Sequence, residues 1–255
     1  MGSVLRAFLP GLALLLSMSA AKAELPESYQ VVLMTDNFPP FSMAPGDKNF
    51  AKADEITGVN ADVVKEMFKR ANIAYNLTLR FPWDRVYNNA RDTPDNGVFS
   101  VAMSDDRKPL FKWVGPLYGT QRVFVAAPNS SIKLSSLDDA RKYRLGSYKG
   151  GAAGAFLDKN NLAFEAGLQD QDNAKKLIDG KIDLWVTNDP VFRYSASKAG
   201  IQGLKIAFVG ESSPHYLALN LNTPDEVVQR LQKALDDMQA DGTYKKIGAA
   251  YLDNL

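Results

Sequence analysis

From Gln30 onward the chain alternates short β-rich runs with segments of helical spacing, and it does so in two rounds. That alternation constrains the fold more than any single motif, because strand–helix–strand units build a mainly parallel sheet covered by helices. In the first round, Gln30 to Thr35 (QVVLMT), Asn76 to Phe81 and Val98 to Ala102 read as strands. A helix opens at Gly58, where Ala61, Val64, Met67, Phe68 and Ala71 recur at helical spacing with charged residues between them. Asp84 to Arg91 reads as a second, shorter helix. After a strand at Gln121 to Ala127 the pattern restarts. Leu137 to Tyr143 is a short helix, Arg144 to Tyr148 a strand, and Gly150 to Gly154 leads into a helix. Asp172 to Ile178 (helix) and Ile182 to Thr187 (strand) follow, and Asp189-Pro190 opens a further helix, with Asp189 suited to cap it. Strands at Lys205 to Val209 and Tyr216 to Leu221 precede an amphipathic helix from Pro224 to Ala240 and a last one near Tyr244 to Tyr251. Two α/β units with a C-terminal segment left over imply two lobes, with crossovers expected near Val123 to Pro128 and Ile206 to Gly210 and a ligand cleft between them. No sequence repeat relates the two rounds.

The N-terminus reads as an address. Arg6 precedes an apolar run from Ala7 to Met18, and Ala21-Lys22-Ala23 is an A-x-A cleavage site. Residues 1–23 are therefore expected to be a signal peptide, cleaved after Ala23, and no second run is long enough to span a membrane. The chain has no cysteine, which excludes a lipid-modified N-terminal cysteine and any disulfide framework. A bacterial periplasm fits these features. Charges nearly cancel at +1, with no basic stripe, so nucleic acid is not expected as a partner. With one histidine, His215, and no G-x-S-x-G, the chain lacks the usual material for a nucleophilic triad or a Cys/His metal cluster. His215 reads as a loop residue, and neither a cofactor nor a metal is expected.

One segment bears directly on binding. In Gly97 to Tyr118 (GVFSVAMSDDRKPLFKWVGPLY), Arg107 follows an apolar strand and a polar turn and precedes Leu110, Phe111, Trp113 and Val114. A guanidinium at a strand end beside a dry wall can hold both oxygens of a carboxylate. An arginine on a loop is ordinarily a solvated charge, so the reading depends on what surrounds it.

Taken together, several segments resemble the periplasmic solute-binding proteins of family 3, the polar amino acid type that serves ABC importers. They are T-D-N-F-P-P-F at 35–41, G-V-N-A-D at 58–62, the segment at 97–118, G-S-Y-K-G-G at 146–151 and D-G-K-I-D-L-W at 179–185. The resemblance implies an α/β, two-lobe periplasmic-binding-protein fold of type II, with two strand hinges and a ligand cleft between the lobes. Residues 24–126 and 211–255 would form the first lobe and 127–210 the second. It also implies a site. Arg107 falls where the family binds the ligand's carboxylate, Phe38 where an aromatic packs on the ligand, and Trp83 on a second wall. Tyr148, Gly151 and Ala152 would face them from the second lobe. Asn188 stands at the family's ammonium-binding aspartate, and it brings no charge. Ala102 and Met103 replace polar donors before Arg107, which leaves open whether an α-ammonium is recognised. Asp183 reads as structural.

The function implied is capture of a small carboxylate-bearing solute, an amino acid or a related compound, and its delivery by a monomer to an ABC permease in the inner membrane. An enzyme is not expected. The alternatives are a dehydratase of the cyclohexadienyl type on the same scaffold, with Asp36, Asp105 or Asp189 as its carboxylate, and a ligand-sensing partner of a membrane receptor.

Overall fold

The computed structural model describes residues 25–26, 28–148, 151–167, 170–253 and 255. The expected signal peptide and its cleavage site lie outside them, as does Gly150 of the expected helix start. Nine strands and seven α-helices are described: β1 (Gln30–Thr35), β2 (Ala51–Lys52), α1 (Val59–Ala71), β3 (Ala74–Leu79), α2 (Trp83–Asp92), β4 (Asn96–Ala102) and β5 (Lys112–Ala126). Then come β6 (Leu145–Tyr148), α3 (Ala152–Lys159), β7 (Phe164–Gly167), α4 (Asp170–Ile178), β8 (Leu184–Asp189) and α5 (Val191–Lys198). The chain ends with β9 (Lys205–Leu219), α6 (Asp225–Ala240) and α7 (Thr243–Leu252).

The strand order is β2-β3-β1-β4-β9-β5-β8-β6-β7. It is nearly palindromic. β1 lies between β3 and β4, parallel to both, and β6 lies between β7 and β8, parallel to both. In each half the middle strand comes first in the chain, and a crossing strand joins antiparallel at the inner edge: β9 beside β4, β5 beside β8. The two rounds therefore share a topology although their sequences do not repeat.

The first lobe is organised by α1. Its apolar stripe is fully or almost fully buried, from Ala61 and Val64 to Met67, Phe68 and Ala71. It packs in one cluster with strand residues Val31, Leu33 and Leu77 and with Leu231, Leu235 and Met238 of α6. Each such large side chain contributes about 1.5–3 kcal/mol. Gly58 caps α1 at φ 122°, a conformation an L side chain rarely adopts, and a Cβ there would come within 2.5 Å of the Phe41 carbonyl oxygen. This close approach seats the start of α1 against the loop that follows β1. In the second lobe, one cluster joins Phe124, Ala126, Leu145, Leu157 and Leu184. Another joins Val123, Val125, Leu177, Trp185 and Phe192 on the opposite face.

The crossing strands differ from the sequence reading. β5 and β9 are each 15 residues long and pair along most of their length, where shorter, separate strands were expected. Gly115, Pro116 and Pro214 look like breakers. They are accommodated because the β5–β9 register shifts between Val114 and Leu117 and again between Leu117 and Thr120. Such irregularities are where a strand tolerates proline. The strands change partners near Leu117 to Gln121 and Ser212 to His215, closer to the first lobe than the expected crossovers. Val123–Ala126, placed in the first lobe by a boundary at 126, pack in the second lobe's clusters. β7 was not anticipated, being a four-residue edge strand (FEAG) with little β-branched content.

Candidate functional site

A cavity of about 600 Å³ opens between the lobes, at the carboxyl ends of β1, β3 and β4 on one side and of β6 and β8 on the other. Strand ends of this kind are where open α/β sheets place ligands. The volume suits a small molecule. Phe38, Trp83, Arg107, Tyr148, Gly151, Ala152 and Asn188 all line this one cavity.

The first wall is a rigid loop. The Phe38 amide donates to the Ser42 carbonyl at 2.8 Å, and the Ser42 hydroxyl donates to the Asp36 carbonyl at 2.9 Å. The Asn37 side chain accepts from the Ala44 amide at 3.2 Å. Phe41 is fully buried beneath, with its ring centroid 5.0 Å from that of Phe38, which remains half-buried. Trp83 opens α2 after Pro82 and is also half-buried. One turn on, Tyr87 lies 6.0 Å from the Trp83 ring and 5.3 Å from the Arg107 guanidinium carbon. Arg107 is thus held by an aromatic face. It forms no ion pair among the described residues. Its amide donates to the Ser104 carbonyl at 3.1 Å, which fixes it at the end of the turn. The neighbouring Asp106 is exposed and held below the usual carboxylate range, chiefly by a hydrogen bond to Ser104 and to a smaller degree by Arg107.

Ser100 lines the cavity from within β4 at φ 63°, where the β4–β9 register shifts. Its hydroxyl accepts from the Asn60 side-chain amide at 3.1 Å, and the same amide donates to the Tyr118 carbonyl at 2.9 Å. One asparagine at the start of α1 so ties the cavity floor to the hinge. A non-glycine residue in this conformation carries local strain, which is common at binding sites.

The described residues of the second wall are uncharged. Tyr148 ends β6 and is 41 % exposed, and Gly151 caps α3 ahead of Ala152. A Cβ on Gly151 would meet the Tyr148 ring at 2.6 Å, so glycine lets the ring lie against the helix start. Asn188 lies one residue from the end of β8. Asp189 does not cap α5 as expected. It is the last residue of β8, and its carboxylate accepts from Arg193 at 2.9 Å. Asp183 is bound to Arg144 at 2.6 Å, away from the cavity.

Other lining residues carried no clear sequence signal. His215 is on β9 and 4 % exposed, which corrects the loop reading. Its ring sits 4.7 Å from Phe41 and 5.7 Å from Phe38, its Nδ1 has no hydrogen-bond partner, and burial pushes its pKa down to about 4. Polar neighbours in SSPHYLAL disguised a strand. Asp36 also lines the cavity, and burial pushes its carboxyl up to about 6. Of the three carboxylates considered for a dehydratase, Asp36 alone is there; Asp105 is exposed and Asp189 is paired. Arg80 lines the mouth, with its guanidinium 4.5 Å from the Phe50 ring. No cluster of His, Asp and Glu suited to a metal occurs among the described residues.

An α/β molecule with two lobes, crossing strands and a cleft at the strand ends is a solute-binding architecture. The sequence profile of the bacterial extracellular solute-binding proteins, family 3, matches residues 31–254, and the chain belongs to that family. It is 25% identical over 250 residues to the histidine-binding periplasmic protein of Escherichia coli, covering 93% of this chain and 92% of that one. It is 24% identical over 201 residues to the L-cystine-binding protein TcyA of Bacillus subtilis, covering 76% of this chain and 72% of that one. Substrate-binding domain 2 of GlnP from Lactococcus lactis, solved in an open conformation, superposes with a TM-score of 0.70 at 19% identity. It covers 90% of this chain and 97% of that one. These structural neighbours share the type II periplasmic-binding-protein fold.

Proposed function

We propose that the protein captures a small carboxylate-bearing solute, an amino acid or a related compound, outside the cytoplasm for an ABC importer. The observation that carries this is Arg107: a guanidinium at the rim of the inter-lobe cavity, held by Tyr87 and without an ion-pair partner among the described residues. A carboxylate supplies the bidentate acceptor that its fork requires. Phe38 and Trp83 would sandwich the apolar part of the solute. Tyr148, Asn188 and the α3 start at Gly151 and Ala152 would engage it from the second lobe, so that closure is driven by contacts made only when both lobes touch it. Delivery would be to a permease in the inner membrane by a monomer released after cleavage at Ala23. The relatives named above are binding proteins, which favours binding over catalysis.

The test is a thermal-shift screen of the protein against amino acids and small carboxylates, each beside its neutral amide. At a hundredfold excess over its dissociation constant a true solute adds about 2.7 kcal/mol, or roughly 5–10 °C in Tm. The acids should shift the protein and their amides should not. Equal shifts for acid and amide would remove the carboxylate from the account.

A further inference from the structure

We infer that Arg122 is a second anion-binding group behind the second wall, so that the solute of this cleft carries two acid groups; this rests on the reading of the cleft as a carboxylate site. Arg122 lies on β5 in register with Asn188 of β8. Directly opposed residues of an antiparallel pair project to the same face, and Asn188 lines the cavity. Thr120, two residues earlier on β5, lines it too. The Arg122 guanidinium carbon lies 4.9 Å from the centroid of the Phe156 ring, and Phe156 follows Ala152 by about one helical turn. The backbone of Arg122 therefore lies beside Asn188, and its side chain, which is not itself among the residues lining the cavity, packs on α3 one turn beyond the wall formed by Gly151, Ala152 and Asn188.

It is also unpaired. Its Nε and Nη1 are buried without a hydrogen-bond partner. Glu211 is the one carboxylate whose charge reaches it, and Glu211 is exposed and forms no ion pair with it. Burial draws its pKa below the ordinary arginine value, yet a guanidinium stays charged at neutral pH. Arg122 as a whole is half-buried, but N–H groups buried without a partner are costly, and an arriving anion relieves that cost.

The charge balance points the same way. Among the described residues, Arg107 and Arg80 line the cavity against Asp36 alone, and His215 is neutral at neutral pH. With the neighbouring Arg122 added, positive charge among the described residues exceeds negative by two. A zwitterionic amino acid with one carboxylate leaves that excess in place, whereas a dianion balances it. Asn188, in place of an acid, removes the attraction that an ammonium would find in the second lobe.

The experiment is calorimetric titration of the protein and of Arg122→Gln, Arg122→Lys and Arg107→Ala with succinate, glutarate and L-glutamate, beside the one-acid probes butyrate and L-glutamine. In the parent protein the two-acid probes should bind at least about thirtyfold tighter than their one-acid counterparts. Arg122→Gln should erase that preference while leaving the one-acid probes unchanged, and Arg122→Lys should keep part of it. Arg107→Ala should weaken both classes. The unliganded Arg122→Gln protein should melt no lower than the parent, since buried unpartnered N–H groups are gone; were it not to fold, Arg122→Lys carries the comparison. A two-acid preference that survives Arg122→Gln, as it would if Glu211 were the group's true partner, overturns the inference. So does equal binding of the two classes in the parent, and both results leave the carboxylate reading standing. Absence of binding by every probe removes that reading, and the inference with it.

Discussion

The two walls of the cleft are made by the same topology and carry different chemistry. On the first, the ends of β1, β3 and β4 present Asp36, Phe38, Arg80, Trp83 and Arg107. On the second, the ends of β6 and β8 present Tyr148, Gly151, Ala152 and Asn188, with no charged residue among those described. A shared scaffold therefore does not impose shared roles. On the proposed reading, the wall rich in aromatic area and charge would engage the solute first, and the neutral one would close over it. The interiors differ as well: one large cluster built on α1 and α6 dominates the first lobe, while thinner clusters cover the two faces of the second sheet.

The largest effect expected from this asymmetry is in acid sensitivity, because the displaced titrations at the cavity, Asp36 and His215, belong to the first lobe and its crossing strand. Asp36 is raised from 3.8 to about 6, so between those values the folded protein holds more protons than the unfolded, and stability falls as pH rises. His215 is lowered from 6.5 to about 4, so there the unfolded chain holds more protons and stability rises with pH. Each contribution is about 3 kcal/mol across its window, and in the parent they largely cancel. Urea denaturation from pH 4 to 6 should therefore be nearly flat, should fall with pH in His215→Gln and should rise in Asp36→Asn.

Next comes Asn188→Asp, which would add a negative charge to the second wall. It should weaken acids by about 2 kcal/mol through repulsion and shift the preference toward solutes with an ammonium group, as read by competition titration. Phe38→Ala should cost about 1 kcal/mol of binding, with little change in the unliganded melting temperature, since the ring is half-buried on Phe41 and His215. The smallest effect is expected from Gly151→Val, which forces the Tyr148 ring away from the helix start. Affinity should drop by less than about 1 kcal/mol, mostly through faster release.

The sequence made the parallel parts of both lobes legible. Val/Ile-rich runs and the spacing of Val64, Met67, Phe68 and Ala71 have few readings other than strand and amphipathic helix. The crossing strands were hidden because Gly115, Pro116 and Pro214 are breakers unless a register shift absorbs them, and register is a property of the partner strand. The seven expected cavity residues were legible through resemblance, since they cluster at strand ends that only the topology brings together. Arg122 and His215 escaped for different reasons: nothing local tells an arginine with unpartnered buried nitrogens in a β-run from a solvated one, whereas the polar neighbours of His215 hid the strand itself.

The division of labour between the walls is tested most directly by calorimetric titration of Arg107→Ala and Asn188→Ala with whichever acid gives the largest thermal shift in the parent. Arg107→Ala should show no measurable heat, while Asn188→Ala should still bind, within about tenfold of the parent. Binding retained by Arg107→Ala and lost by Asn188→Ala would reverse the roles of the two lobes and contradict the account.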